Sequence, residues 1–241
     1  MGVFRSGSSA ALIAAGTVLA FAVASSKGVA LQRPGGSGSI HGRVTTAATV
    51  TAAPQKVTVD EKICGASVPN ESIVLDKDGG VAHAVVSVKG LVWGDTPPAR
   101  LTNKGCRFVP HVSVARPGAV LEVTSEDGTL HTTHAYALDG RSLYNIALPP
   151  LLGITAKRPV EKASGPIRFA CDTHPWMQGF VYVSTDRAVV SGADGRFVFA
   201  DVPAGSYELT VWHERLKGPV QRVTVASDWT VDVAFMLAPG K

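Results

Sequence analysis

The chain is poor in charge, in aromatic residues and in cysteine, and each shortage closes off a class of protein. Charged residues make up only 17% and aromatics 7% of its 241 residues. The 23 Lys and Arg residues are scattered, the net charge is only +4, and no basic stripe interleaves with aromatics, so nucleic acid is excluded as a partner. That mild positive balance favours at most an acidic protein partner at low salt. There is no Gly-rich phosphate loop and no G-x-S-x-G elbow, and no carboxylate pair stands out as an acid/base couple. The expectation is a protein without catalytic activity. Long hydrophobic runs are also scarce: after the first one, no later stretch is fit to cross a membrane.

That first run is Ala10–Ala24, preceded by Arg5 and ending in the small-x-small triplet Ala22-Val23-Ala24. It is short for a membrane span and suits a signal-peptide core, so residues 1–30 read as an export signal, with a second cleavage site after Ala30. An uncleaved N-terminal anchor is the alternative, and the only membrane contact expected. The folded part is then periplasmic or otherwise exported to the cell envelope. Residues 31–38, within the Pro/Gly/Ser-rich stretch Gln32–Ser39, read as a linker. Beyond them, 45% hydrophobic residues suffice for a packed core.

The three cysteines are Cys64, Cys106 and Cys171. In an oxidising compartment paired cysteines become disulfides, and an odd count leaves one thiol that needs a reason. Cys171 has one, because His174 and Met177 follow it at ligand spacing. By elimination Cys64 and Cys106 form the disulfide; two buried thiols are the alternative.

The body of the chain reads as all-β. Alternating or β-branched runs recur at Ser39–Val44, Gln55–Val59, His83–Lys89, Arg107–Ala115, Ala119–Thr124, Leu130–Ala137, Ile167–Cys171 and Gly179–Val183. They continue at Arg196–Ala200, Tyr207–His213, Gln221–Val225 and Thr230–Leu237. Asp-Gly and Pro-Gly turns punctuate them. No stretch has a helical period, beyond one short turn within Pro149–Thr155.

The segment Cys171-Asp-Thr-His174-Pro-Trp-Met177 packs a thiolate, an imidazole and a thioether into one loop between strands. Soft sulfur ligands favour Cu(I), imidazole accepts both oxidation states, and a His₂Cys plane with a weak axial Met is the blue-copper arrangement. His131, at the start of a strand, is the best second imidazole. The expected ligand set is His131, Cys171, His174 and Met177, one copper per chain. Zinc is disfavoured because Met is not among its usual ligands. His134 lies at an odd offset from His131, so on a regular strand it faces the other way and reads as structural or surface. His111 is open between a core histidine, an accessory metal ligand and an exposed site near Cys106. His213 reads as inward and hydrogen-bonded. Trp176, inside the loop, either packs over the metal or forms an exposed docking surface.

The segment Glu122–His134 followed by Cys171–Met177 resembles the cupredoxin (plastocyanin/azurin) family, with a short ligand loop of the amicyanin type. The resemblance covers roughly Phe108–Ser184. It implies a Greek-key β-sandwich, type 1 copper and one-electron transfer without substrate turnover, with His174 the partly exposed ligand through which the electron passes. Thr132 stands where the family usually has Asn. The segment Asp194–Glu214 resembles a carboxypeptidase-regulatory or transthyretin-like β-module, and the non-catalytic middle domain of rhamnogalacturonan lyases has a similar pattern. Ser39–Val44 is similar to the first strand of such a module, so the two parts are either intertwined or separate. The boundaries expected are a β-region over 39–105 carrying the disulfide, a copper domain over 106–185 and a smaller β-sandwich module over 186–241. A cytochrome or copper enzyme is the expected redox partner. The alternative function is a non-redox copper-binding or scaffolding protein of the envelope, docking on a partner or a carbohydrate.

Overall fold

A computed structural model describes residues 2, 35–95, 98–150, 153–162 and 164–240. The expected signal segment 1–30 falls almost wholly outside the described residues, as does the first half of the linker, 31–34. The strands all belong to one compact unit, Pro34–Lys241. No helix among the described residues is long and apolar enough to cross a membrane.

The chain is all-β, the class its alternation predicts. A five-stranded sheet runs in the order Ser142–Leu148, His131–Tyr136, Gly165–Ala170, Gln178–Val183, Val112–Ala115. A four-stranded sheet runs Ala156–Pro159, Val120–Ser125, Ala99–Asn103, Phe108–Val109. The two share one core, in which Leu101, Leu121, Ala135, Phe169 and Val181 are fully buried. Each buried Leu or Phe there contributes about 2–3 kcal/mol of transfer free energy. A short pair, Gln55–Lys56 with Ser67–Val68, adds Val57 and Val68 to the same core.

The remaining strands form an eight-stranded sheet with its own core around Ile40, Val86, Phe197, Phe199, Leu209 and Phe235. Its pattern is plainly written in the sequence. Along Arg196–Pro203 the residues Phe197, Phe199 and Val202 turn inward while their neighbours stay exposed. Ser37–Thr46 pairs antiparallel with Arg196–Pro203 and parallel with Thr230–Pro239, so the first strand lies between two of the last. A small third cluster joins the two sandwiches: Val112 and Phe180 from one meet Val85 and Ala188 from the other.

Several expectations are corrected. The linker ends before residue 38, because the first strand starts at Ser37. The cut between 105 and 106 divides a sheet: Ala99–Asn103 pairs in parallel with Val120–Ser125. Within 39–105, meanwhile, Ser37–Thr46 and Val85–Val88 belong to the eight-stranded sheet. The site-bearing sandwich is therefore nested between strands of the second one. Arg107–Ala115 is two strands broken at Pro110, which has no N–H to donate. Gln55–Val59 shortens to Gln55–Lys56; the helix among the described residues is Glu61–Cys64, and the turn expected within Pro149–Thr155 falls partly outside them.

Candidate metal centre

His131 opens its strand with its side chain inward. Buried and half-buried positions alternate along His131–Tyr136, so His131, Thr133 and Ala135 face the core and His134 faces the other way. On the neighbouring strand Ala170 pairs with His134. The chain then leaves the sheet at Cys171 beside Thr132 and turns back, with the Met177 amide donating to the His174 carbonyl at 2.9 Å. Strand register and one tight turn thus bring distant residues to one point. Nδ1 of His131, Sγ of Cys171 and a ring nitrogen of His174 lie within 4.8 Å of one another. Cys171 Sγ is 3.5 Å from His174 Nδ1 and 3.9 Å from His131 Nδ1. All three side chains are buried, as is Met177 at the end of the loop. Cys171 is the free cysteine; Cys64 and Cys106 are joined by a disulfide. Cys106, Asp127 and His131 also converge, but the bridged sulfur of Cys106 is no thiolate donor.

The outer nitrogens of both imidazoles are gripped by carboxylates. His131 Nε2 donates to Asp127 Oδ2 at 2.9 Å, and His174 Nε2 donates to Asp60 Oδ2 at 3.0 Å. This fixes the ring orientation and leaves both Nδ1 atoms pointing at Cys171, as metal-binding histidines are held by outer partners. Burial favours a neutral Cys171 thiol. Hydrogen bonds from His131, the Thr132 amide and His174 outweigh it and hold the thiol down to about 6. Burial likewise disfavours a charged His131, but Asp127 and the Cys171 sulfur raise it to about 9. The two shifts favour a Cys171 thiolate beside a charged His131, so metal binding would displace a proton there.

Thr132 ties the strand to the ligand loop. Its hydroxyl accepts the Asp172 amide at 2.7 Å, and its own amide donates to Cys171 Sγ at 3.3 Å. Trp176 is buried, donates from Nε1 to the Cys106 carbonyl at 3.1 Å and lies 5.2 Å from the His174 ring. It packs over the site and is not an exposed docking surface.

His174 is the main correction. It is not partly exposed: its relative exposure is 0%. The segment carrying Asp60 covers it, a contact across 114 positions that no local pattern announces. Asp60 and Thr129, whose hydroxyl donates to Asp60 Oδ2 at 2.6 Å, are the residues sequence reasoning missed. The only available signal was the nearness of Asp60 to Cys64.

His111 stays outside the cluster. Its Nδ1 donates to the Gln178 carbonyl at 3.1 Å, and its Nε2 meets Glu214 Oε1 at 2.5 Å. It lines a polar cleft of about 270 Å³ with Arg107, Trp176, Met177, Glu214 and Arg215. His134 bonds Asp172 and Ser142 on the outer face. His213 is buried and accepts the Arg215 amide at its Nδ1.

No protein family matches this chain, and no curated protein does. Part of the chain is similar to three solved copper proteins. A purple cupredoxin from Nitrosopumilus maritimus is 23% identical over 36% of this chain and 99% of its own, with a TM-score of 0.31. Amicyanin from Paracoccus versutus is 12% identical over 41% of this chain and 97% of its own, TM-score 0.31. A copper-containing nitrite reductase from Thermus scotoductus is 22% identical over 39% of this chain and 24% of its own, TM-score 0.29.

Proposed function

We propose that this protein is an exported mononuclear copper protein that passes single electrons to a redox partner without turning over a substrate. The observation that carries the reading is the convergence of one buried, unbridged cysteine sulfur with two imidazole Nδ1 atoms whose outer nitrogens are already committed to carboxylates. That donor set fits copper: a soft thiolate and two imidazoles lie in one pocket, with the thioether residue Met177 buried at the end of the same loop. When bound, copper supplies a reversible one-electron couple.

The protein's part is to hold the donors still. His131 sits on a sheet strand. Cys171 is fixed by the Thr132 amide, and His174 by Asp60. Rigid donors keep reorganisation small when the charge of the site changes. Trp176 and the surrounding core exclude water. With His174 covered, the electron would leave along bonds beside Cys171 and Thr132 rather than through an exposed imidazole edge. The second reading, a non-redox copper-binding or scaffolding protein, draws on the polar cleft beside Met177, which offers a partner a docking site independent of metal.

Voltammetry of the copper-loaded protein separates the two. The electron-carrier reading expects a reversible one-electron wave that vanishes in Cys171→Ser. Tight Cu(I) binding with no reversible wave would favour the second reading.

A further inference from the structure

Cys106 is the common anchor of the contacts that surround the metal-binding histidines. Its amide donates to Asp127 Oδ2 at 2.9 Å, and Asp127 holds His131. Its carbonyl accepts Trp176 Nε1, which ties down the ligand loop. Its sulfur is bridged to Cys64, the last residue of the short helix Glu61–Cys64, and Asp60 stands at the N-terminal end of that helix without a side-chain capping bond, its carboxylate free for His174. Asp60 and Cys106 both have φ near +54° (53° and 54°), a region costly for residues other than glycine and tolerated best by Asp and Asn. The helix itself has no buried residue and Ile63 is half exposed; the apolar anchors of the strap are Val57 and Val68 at its two roots, with Cys64 partly buried at the helix end.

We propose that the Cys64–Cys106 bridge is a positioning element of the metal centre: by pinning the helix end, it holds the Asp60 carboxylate on His174 Nε2. This rests on the copper reading for its consequence but not for its geometry. A carboxylate on the outer nitrogen makes an imidazole a stronger donor and favours Cu(II) over Cu(I). Losing the bridge would free the strap, uncover His174 and weaken Cu(II) binding selectively. Asp127, held by the Cys106 and Gly105 amides, would keep its grip on His131.

Four full-length proteins test this: wild type, Asp60→Asn, the double variant Cys64→Ser/Cys106→Ser, and a variant with two glycines inserted between Lys62 and Ile63. The insertion keeps the bridge but lets Asp60 drift. In the metal-free proteins, imidazole NMR should show exchange-protected Nε2–H protons on both His131 and His174 in wild type. The other three should lose protection at His174 only, the His131 signal reporting that the fold persists. With copper, Cu(II) affinity should fall on the order of 10–100-fold in each. If Cu(I) affinity is unchanged, each tenfold loss raises the potential by about 59 mV. Adding Asp60→Asn to the bridge-less protein should change little, since both act on one contact.

The proposal is overturned if His174 keeps its protected proton, and Cu(II) its wild-type affinity, in the bridge-less protein. Should that protein fail to fold, the insertion variant decides alone by the same two readouts. If wild type binds no Cu(II), the copper reading falls, and the metal-free comparison still judges the bridge.

Discussion

Acid should destabilise this protein between pH 6.5 and 4 through two histidines that are not metal ligands, His213 buried and His83 half-buried. Burial holds His213 and His83 down to about 4; next in size, His83 pushes His213 down, His111 lowers both, and Arg215 adds to the effect on His213, while a backbone contact at Ala82 opposes it there. In the folded protein both stay neutral until about pH 4, whereas in the unfolded chain they take up protons near 6.5. Between those values the unfolded state binds more protons, so stability falls as pH falls. The slope fades as pH rises through 6.5 and vanishes well above it, where neither state binds the proton. Moving from pH 7 to 5 costs roughly 2 kcal/mol per histidine, hence roughly 4 kcal/mol for the pair. Urea unfolding of the metal-free protein at the two pH values measures this directly. Variants isolate the cause. His83 has φ +63°, which Asn tolerates, so His83→Asn should fold; His213→Asn keeps an acceptor for the Arg215 amide. Each substitution should remove about half of the slope. An unchanged pH dependence in the double variant would refute the reasoning, and place the acid sensitivity in the carboxylates.

Removing the disulfide by Cys64→Ala/Cys106→Ala should lower the unfolding free energy by about 4 kcal/mol, the chain-entropy value for a bridge of sequence separation 42, read by chemical denaturation. Thr132→Val keeps the shape but removes the acceptor of the Asp172 amide, which water can partly replace at this exposed bond; a loss of about 0.5–1.5 kcal/mol is expected, with faster exchange of that amide. Gly42→Ala would drive a methyl into the Phe197 ring and towards the Val233 carbonyl, costing about 1–3 kcal/mol in thermal unfolding while leaving the metal site's spectrum unchanged.

What was legible in the sequence depended on how local the physics was. Cys171, His174 and Met177 share one loop, so the chemistry of that cluster could be read without any fold. The inward alternation of Phe197, Phe199 and Val202 made its strand equally plain. Ala156–Pro159 was not legible, because a strand carrying Lys, Arg and Pro looks like a turn unless it is known to lie at a sheet edge. The nesting of the sandwiches was hinted at by Ser39–Val44, but only the pairing with Thr230–Pro239 settles it. The covering of His174 was least legible. Asp60 lies in a polar stretch with no motif of its own, and it is brought to the site by tertiary contacts: the buried Val57 before it, the Thr129 hydroxyl, and a four-residue helix bridged to Cys106.

The most direct test of the central claim is the visible spectrum of the purified metal-free protein during titration with Cu(II). The account predicts an intense thiolate-to-copper band that saturates at one equivalent and is absent in Cys171→Ser. Only a weak absorption that Cys171→Ser leaves unaltered would contradict it.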